Sequence, residues 1–266
     1  MTSPPDLTTV RVTTDGAVGL LLLDRPDKLN PLGATTLSEI IDGAAWFDTR
    51  PEVKAVVVAG AGRAFSAGAD LAAFTGVPDA DGTAPREAAD LGRRMADAVE
   101  AMRAVTVAAV HGHCIGGGLV LAAACDLRVA AEDTVFAIPE VDLGIPLAWG
   151  GIPRLVREIG PAMTRELVMT CRRFGAAEAR ALGLLNRVVA PDRVREEADA
   201  LAAEVAAKST LTLTATNAAV NAALANPGLA GHAWADADAL VTALHDPESR
   251  RVASAYLARV AGGGAD

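Results

Sequence analysis

His111-Gly112-His113-Cys114-Ile115-Gly116-Gly117-Gly118-Leu119 joins an apolar run, Val105 to Val110, to an alanine-rich run, Val120 to Cys125. A buried strand that breaks on consecutive glycines and resumes as a small-residue helix leaves backbone N–H groups bare at the helix start, beside its positive dipole end. Such a turn is built to hold negative charge. Three readings fit it: a phosphate cradle, an oxyanion hole, or a turn that only permits close packing. A P-loop needs Gly-Lys-Ser/Thr after the glycines, and Leu119 and Val120 stand there instead. Gly60-Ala61-Gly62 gives no dinucleotide fingerprint either, because Phe65 stands where the third glycine belongs.

Outward from this stretch, a chain of 266 residues that is 51% hydrophobic and 21% charged has the material for a sizeable core. The length suits one large domain, or one domain with an appendage. A net charge of -9 argues against nucleic-acid partners and anionic membrane surfaces, which need clustered Lys and Arg. Cys114, Cys125 and Cys171 are scattered, with no CxxC pair, so neither a disulfide framework nor a metal site is expected. Met1-Thr2-Ser3-Pro4-Pro5-Asp6 has no basic and apolar signal pattern, and a cytoplasmic location is expected. Residues 104 to 125 imitate a membrane span, but His111, His113 and the glycines interrupt the run, so no membrane insertion is expected.

The chain opens with strand-like runs Val10 to Thr14 and Val18 to Leu23 across a turn at Asp15-Gly16, a hairpin. Lys28-Leu29-Asn30-Pro31-Leu32 is a loop leading to a helix from Leu37 to Thr49, and Ala55 to Ala59 is a buried strand. Ser66 lacks a Gly-x-Ser-x-Gly setting and is not read as a nucleophile. Residues 72 to 87 lack apolar periodicity and read as a mobile loop before a helix from Arg86 to Met102. Val105 to Val110 and Leu127 to Ala130 are further strands, so alternating strands and helices imply a parallel sheet covered by helices. Phe136 to Val141 carries Glu140 in apolar company, and Trp149-Gly150-Gly151 makes a second glycine turn before a helix from Ile152 to Ile159. From Arg165 onward the pattern is helical, including a helix from Trp234 to Leu244 and a last one after Asp246-Pro247-Glu248.

AFSAGADL (Ala64 to Leu71), VHGHCIGGG with LVLAAACDLRVA (Val110 to Ala130), and FAIPEVDLG with WGGIPRL (Phe136 to Leu155) together resemble the enoyl-CoA hydratase/isomerase, or crotonase, superfamily. DRPDKLNPL matches the family's early Arg-Pro loop, so the resemblance covers nearly the whole chain. It implies an α/β crotonase-like (ClpP/crotonase) spiral of repeated β-β-α units, with a core over 1–195 and a C-terminal helical trimerisation lobe over 196–266. It further implies a homotrimer or dimer of trimers and an acyl-CoA thioester substrate, coenzyme A being part of the substrate rather than a cofactor.

By position, the resemblance makes the backbone N–H groups of Ala69 and Gly117 an oxyanion hole, in agreement with the charge-holding turn. A fixed donor of this kind is typically worth on the order of 10²–10³ in rate. It places Lys28, Leu29, Ala67, Ala69, Asp70, Leu71, Gly116, Trp149 and Arg259 along the CoA thioester, Arg259 near the CoA phosphates of a neighbouring subunit. Hydratases of the family carry two glutamates, and this chain has Val120 at the first position and Glu140 at the second. A valine neither accepts nor delivers a proton, whereas moving a double bond from the 3 to the 2 position needs one base. An isomerase-type shift with Glu140 as sole acid/base is therefore expected, with hydration of a 2-enoyl-CoA, or acyl-CoA binding without catalysis, as alternatives. Trp149 stands where many hydratases keep small residues, and would shrink the acyl pocket or seal it from water. Asp142, two residues from Glu140, is not recruited to the site, and His111 and His113 read as structural.

Overall fold

The structure is a computed structural model that describes residues 3–70, 83–225, 242 and 245–261. The chain divides into two compact units, Met1–Ala202 and Ala203–Asp266.

In the first unit β1 (Val10–Asp15) and β2 (Val18–Leu23) form the expected antiparallel hairpin. Val10 and Val12 face inward while their neighbours are exposed, the period of a half-buried edge strand. The sheet continues in parallel through β3 (Ala55–Gly60), β4 (Val105–Val110), β6 (Leu127–Ala131) and β9 (Arg187–Val189). Every residue of β3 is buried, which explains its unbroken small apolar sequence: helices cover both faces of a parallel sheet. A second sheet holds β5 (His113–Ile115), β7 (Val135–Ala137) and β8 (Phe174–Gly175).

The repeating unit is visible in this division. β4 lies in the long sheet, β5 in the short one, and α3 (Gly117–Ala124) follows; β6 and β7 are split in the same way ahead of α4 (Gly151–Thr170). An earlier turn has β3 in the long sheet and Ser66 bridged to Cys114 of the short one, ahead of α2 (Thr83–Glu100). Each turn is thus strand, strand, helix. All eight residues of α3 are buried, as a helix apolar on every side must be. The core of this unit gathers Leu21, Ile40, Phe47 of α1 (Ala34–Asp48), Val56, Val58, Met95, Leu119, Leu121 and Phe136.

The C-terminal half departs from the all-helical expectation. Two short strands, β8 and β9, interrupt it, on either side of α5 (Ala176–Ala181). β9 has too few residues to show a period, and a side-chain clasp fixes it: the Arg128 N–H donates to Asn186 Oδ1 at 2.8 Å, and the Asn186 N–H donates back to the Arg128 carbonyl at 2.9 Å. The helices expected around Ile152 and Glu166 are both parts of α4, broken at Gly160 (φ 76°) before Pro161. α2 starts at Thr83, so the end of the expected loop is helical, while its residues 72–82 and the expected helix over 234–244 lie outside the described residues except position 242. α6 (Val194–Ala206) follows β9.

In the second unit α7 (Thr210–Ala225) and α8 (Pro247–Ala261) meet at their starts. The Thr210 N–H donates to Glu248 at 2.8 Å, Ser209 and Ser249 share a hydroxyl hydrogen bond of 2.6 Å, and Asp246 caps α8 by accepting from the Ser249 N–H at 2.7 Å.

Candidate active site

The first small-residue turn, Phe65 to Ala69, is laid down beside β5. The N–H groups of Phe65 and Ser66 donate to the His111 and His113 carbonyls at 2.8 and 3.0 Å, and Ile115 donates back to Ser66 at 3.1 Å. On its other side the Lys28 to Leu32 loop grips it: Ala67 donates to the Leu29 carbonyl, and Leu32 to the Gly68 carbonyl, each at 2.8 Å. The knot is Asn30, buried and held at φ 53°. Its Nδ2 donates to the carbonyls of Ala61 and Ala64 at 2.9 and 2.8 Å, and its Oδ1 accepts from the Arg25 N–H at 2.9 Å. Ser66 Oγ donates to the Asn30 carbonyl at 2.8 Å and accepts from the Gly68 N–H at 3.1 Å, so this hydroxyl shapes the loop and no base attends it.

The second turn is positioned by the short sheet. The Gly116 N–H extends the β5–β7 ladder by donating to the Ala137 carbonyl at 2.9 Å, and Gly117 then becomes the first residue of α3. Gly116 (φ 48°, ψ -116°) occupies backbone space that side chains rarely reach. A Cβ placed on Gly68 would stand 3.6 Å from the Gly117 nitrogen, so the two turns are direct neighbours. Leu32 takes both ladder bonds flanking Ala69, which turns the Ala69 N–H to the opposite side. Among the described residues neither the Ala69 nor the Gly117 N–H has an acceptor in the protein.

Glu140 follows β7 closely, and the same pairing that ties Gly116 to Ala137 carries its carboxylate back over Gly116. Oε1 fills the space a Cβ on Gly116 would need. Oε2 is buried and has no hydrogen-bond partner among the described residues. Burial pushes the Glu140 carboxyl above its ordinary value, an effect only partly offset by its own backbone N–H. The segment is not extended: Leu143 donates to the Pro139 carbonyl and Ile145 to that of Glu140, a tight turn that leaves Asp142 exposed. Two residues apart in a strand, Asp142 would share the face of Glu140; the turn instead carries it into solvent and out of the site.

Val120 is buried on α3, with Cγ2 2.8 Å from where a Cβ on Gly151 would sit and Leu147 beside it. Its surroundings are apolar. Trp149 is half-buried at φ 57°, and its indole lies against the Cα atoms of both Gly92 and Gly117. Arg154, buried on α4, donates to the carbonyls of Trp149 and Gly150 at 3.4 and 3.2 Å and pairs with Asp97 and Glu100 of α2.

The structure therefore brings together Ala67, Ala69, Gly116, Gly117, Glu140 and Trp149, with Leu29 backing the first turn. Lys28 is exposed at the loop edge. Asp70 pairs with Arg25 at 3.5 Å and lies beside Gly33 at the start of α1. Leu71 and the side chain of Arg259 lie outside the described residues. His111 bonds the Gly62 carbonyl at 2.9 Å. The three cysteines are free, and burial pushes the Cys114 and Cys125 thiols up, so both act as packing groups. Sequence reasoning missed Asn30, Gly92 and Arg154. Asn is enriched in left-handed backbone, a signal for Asn30, but the other two act across tertiary contacts with no local signature.

Comparisons with known proteins match the chain over most of its length. The family model described as Enoyl-CoA hydratase/isomerase matches residues 13–261. The chain is similar to the crotonyl-CoA hydratase of Syntrophomonas wolfei, 36% identical over 205 residues that cover 77% of this chain and 78% of the relative. It is also similar to the peroxisomal Delta(3,5)-Delta(2,4)-dienoyl-CoA isomerase of Arabidopsis thaliana, 34% identical with 82% of each chain covered. A solved enoyl-CoA hydratase structure from Bacillus anthracis superposes with a TM-score of 0.86 at 27% identity, over 95% of this chain and 97% of that one. The spiral β-β-α architecture read from the sequence is the architecture found.

Proposed function

Because the chain belongs to the enoyl-CoA hydratase/isomerase family, we propose that it acts on an acyl-CoA thioester as a double-bond isomerase with one carboxylate. Glu140 takes a proton from the α-carbon of a 3-enoyl thioester. The electron pair left behind delocalises onto the thioester oxygen, where the N–H groups of Ala69 and Gly117 stabilise it. Glu140, now protonated, returns the proton to the γ-carbon, and the double bond moves into conjugation with the carbonyl. Donors already fixed by the protein need no reorganisation as the charge appears, which is why such pairs dominate the rate.

The observation that carries this reading is the Glu140 carboxylate: packed on Gly116, one residue from an N–H with no protein acceptor, with a buried oxygen that no protein donor satisfies. The apolar setting of Val120, Leu147 and Gly151 supports a single carboxylate, since none of these side chains can share a water with Glu140. Lys28, Leu29, Ala67 and Asp70 are assigned to the CoA side, and Arg259 to a neighbouring copy in a trimer or dimer of trimers. A second reading, hydration of a 2-enoyl-CoA, is favoured by the names of several relatives.

Incubating the enzyme with 2-enoyl, 3-enoyl and saturated CoA esters in heavy water, with product masses followed, separates these readings. Deuterium at the α- and γ-carbons of a 3-enoyl ester without a gain of water supports the isomerase. A gain of water on a 2-enoyl ester supports the hydratase. Binding without any exchange overturns both.

A further inference from the structure

Trp149 occupies a costly position. A bulky aromatic residue in left-handed backbone is a rare conformation that persists only where its surroundings enforce it. Here the surroundings do. Arg154 holds the carbonyls of Trp149 and Gly150 while its other nitrogen pairs with Asp97 and Glu100 of α2, and Gly150 (φ 69°) continues the same turn. The indole is wedged between two helices at their glycines: a methyl group on Gly92 of α2 would overlap the pyrrole side of the ring, and one on Gly117 of α3 would overlap its benzene side. The ring has no room to swing toward α2.

Gly117 is also the residue whose N–H is assigned to the thioester oxygen, and Glu140 lies on the preceding glycine. An acyl group bound there would have the carboxylate over Gly116 and the indole against Gly117, while Val120 and Leu147 meet over Gly151 in the turn that carries Trp149. We infer that Trp149 is the specificity-determining residue of the acyl site and restricts the enzyme to short, unbranched acyl thioesters. This inference rests on the proposed placement of the thioester at Gly117.

The test compares butyryl-CoA with decanoyl-CoA, using α-proton exchange in heavy water for turnover and calorimetry for binding, in the wild type, Trp149→Ala and Trp149→Phe. The wild type is expected to prefer butyryl-CoA in both assays. Trp149→Ala is expected to raise the decanoyl-to-butyryl ratio by at least about 10- to 200-fold, the range that one methylene commands in an apolar pocket, with Trp149→Phe in between. An unchanged ratio in the variants overturns the inference, as does a wild type that takes both esters equally. If Trp149→Ala fails to fold, the Trp149→Phe ratio decides. If the wild type exchanges no proton on these esters or on a 3-enoyl ester, the proposed chemistry fails, and the binding ratios alone still decide whether Trp149 limits the acyl group.

Discussion

Gly116 and Glu140 share one volume: the place a Cβ on residue 116 would take is filled by Oε1 of the Glu140 carboxylate. The backbone pairing of Gly116 with Ala137 brings Glu140 back over Gly116, so the proposed acid/base group is positioned by the short sheet rather than by side-chain hydrogen bonds. Glu140→Gln is expected to lower α-proton exchange by about 10²–10⁴-fold while calorimetric binding of a saturated CoA ester persists. Undiminished exchange would remove Glu140 from the mechanism.

The same carboxylate sets a pH dependence. Burial raises the Glu140 pKa above its unfolded value, and the base must be ionised to act, so kcat/KM is expected to rise through an acid limb above the ordinary carboxylate range. The effect on stability has the opposite sense. The folded form holds its proton more tightly than the unfolded chain, so stability falls as pH climbs between the two values. Glu140→Gln is therefore expected to melt higher than the wild type at neutral pH, with the gap closing below the unfolded pKa. A gap that widens on acidification contradicts this.

At Val120 a carboxylate would stand near the position from which a second glutamate shares a water. Val120→Glu is expected to increase hydration relative to isomerisation, read as the ratio of water-added to isomerised product. It is also expected to melt lower, because a charge replaces an apolar group packed on Leu147. A variant that folds but leaves the product ratio unchanged would show that one missing carboxylate does not set the reaction type.

Asn30→Ala removes the donors that Ala61 and Ala64 use and leaves a non-glycine residue at φ 53°. Unsatisfied buried carbonyls and the strained backbone together predict a loss of about 3 kcal/mol in denaturant unfolding. Because the same loop backs Ala67 and Gly68, exchange activity is expected to fall further than the folded fraction does.

Glu39, nearly buried, accepts the N–H groups of Thr8, Thr9 and Val10 and both threonine hydroxyls, tying the chain's start to α1. Burial pushes its carboxyl up, but the Thr9 and Thr8 bonds together outweigh this and hold it below the usual value. A depressed folded pKa gives stability that is present above the unfolded pKa and lost as pH falls through the folded one. Glu39→Gln is expected to melt lower at neutral pH and to match the wild type in acid.

The long strands and the glycine turns were legible in the sequence because each declares itself locally. β3 and β4 are unbroken apolar runs, and the glycines of 116–118 mark the start of α3. β5, β7, β8 and β9 were not legible: two or three residues carry no period, and their partners lie far along the chain. The Glu140 environment could be expected from its apolar neighbours, but its tight turn could not, since that turn depends on bonds among Pro139, Glu140, Leu143 and Ile145. Asn30 was hidden because its acceptors lie some thirty residues later. Gly92 carries no sign that an indole from α4's leading turn rests on it.

The clasp between Asn186 and Arg128 bears on the order in which the protein takes shape. β6 lies between β4 and β9 in the sheet, and its outer edge is covered only by β9, which is synthesised after α4 and α5. For that interval the nascent chain presents an open row of peptide groups, a template for strands from other chains. A stop codon placed before Arg187 would make the interval permanent, and the expected product is aggregate rather than a smaller soluble enzyme.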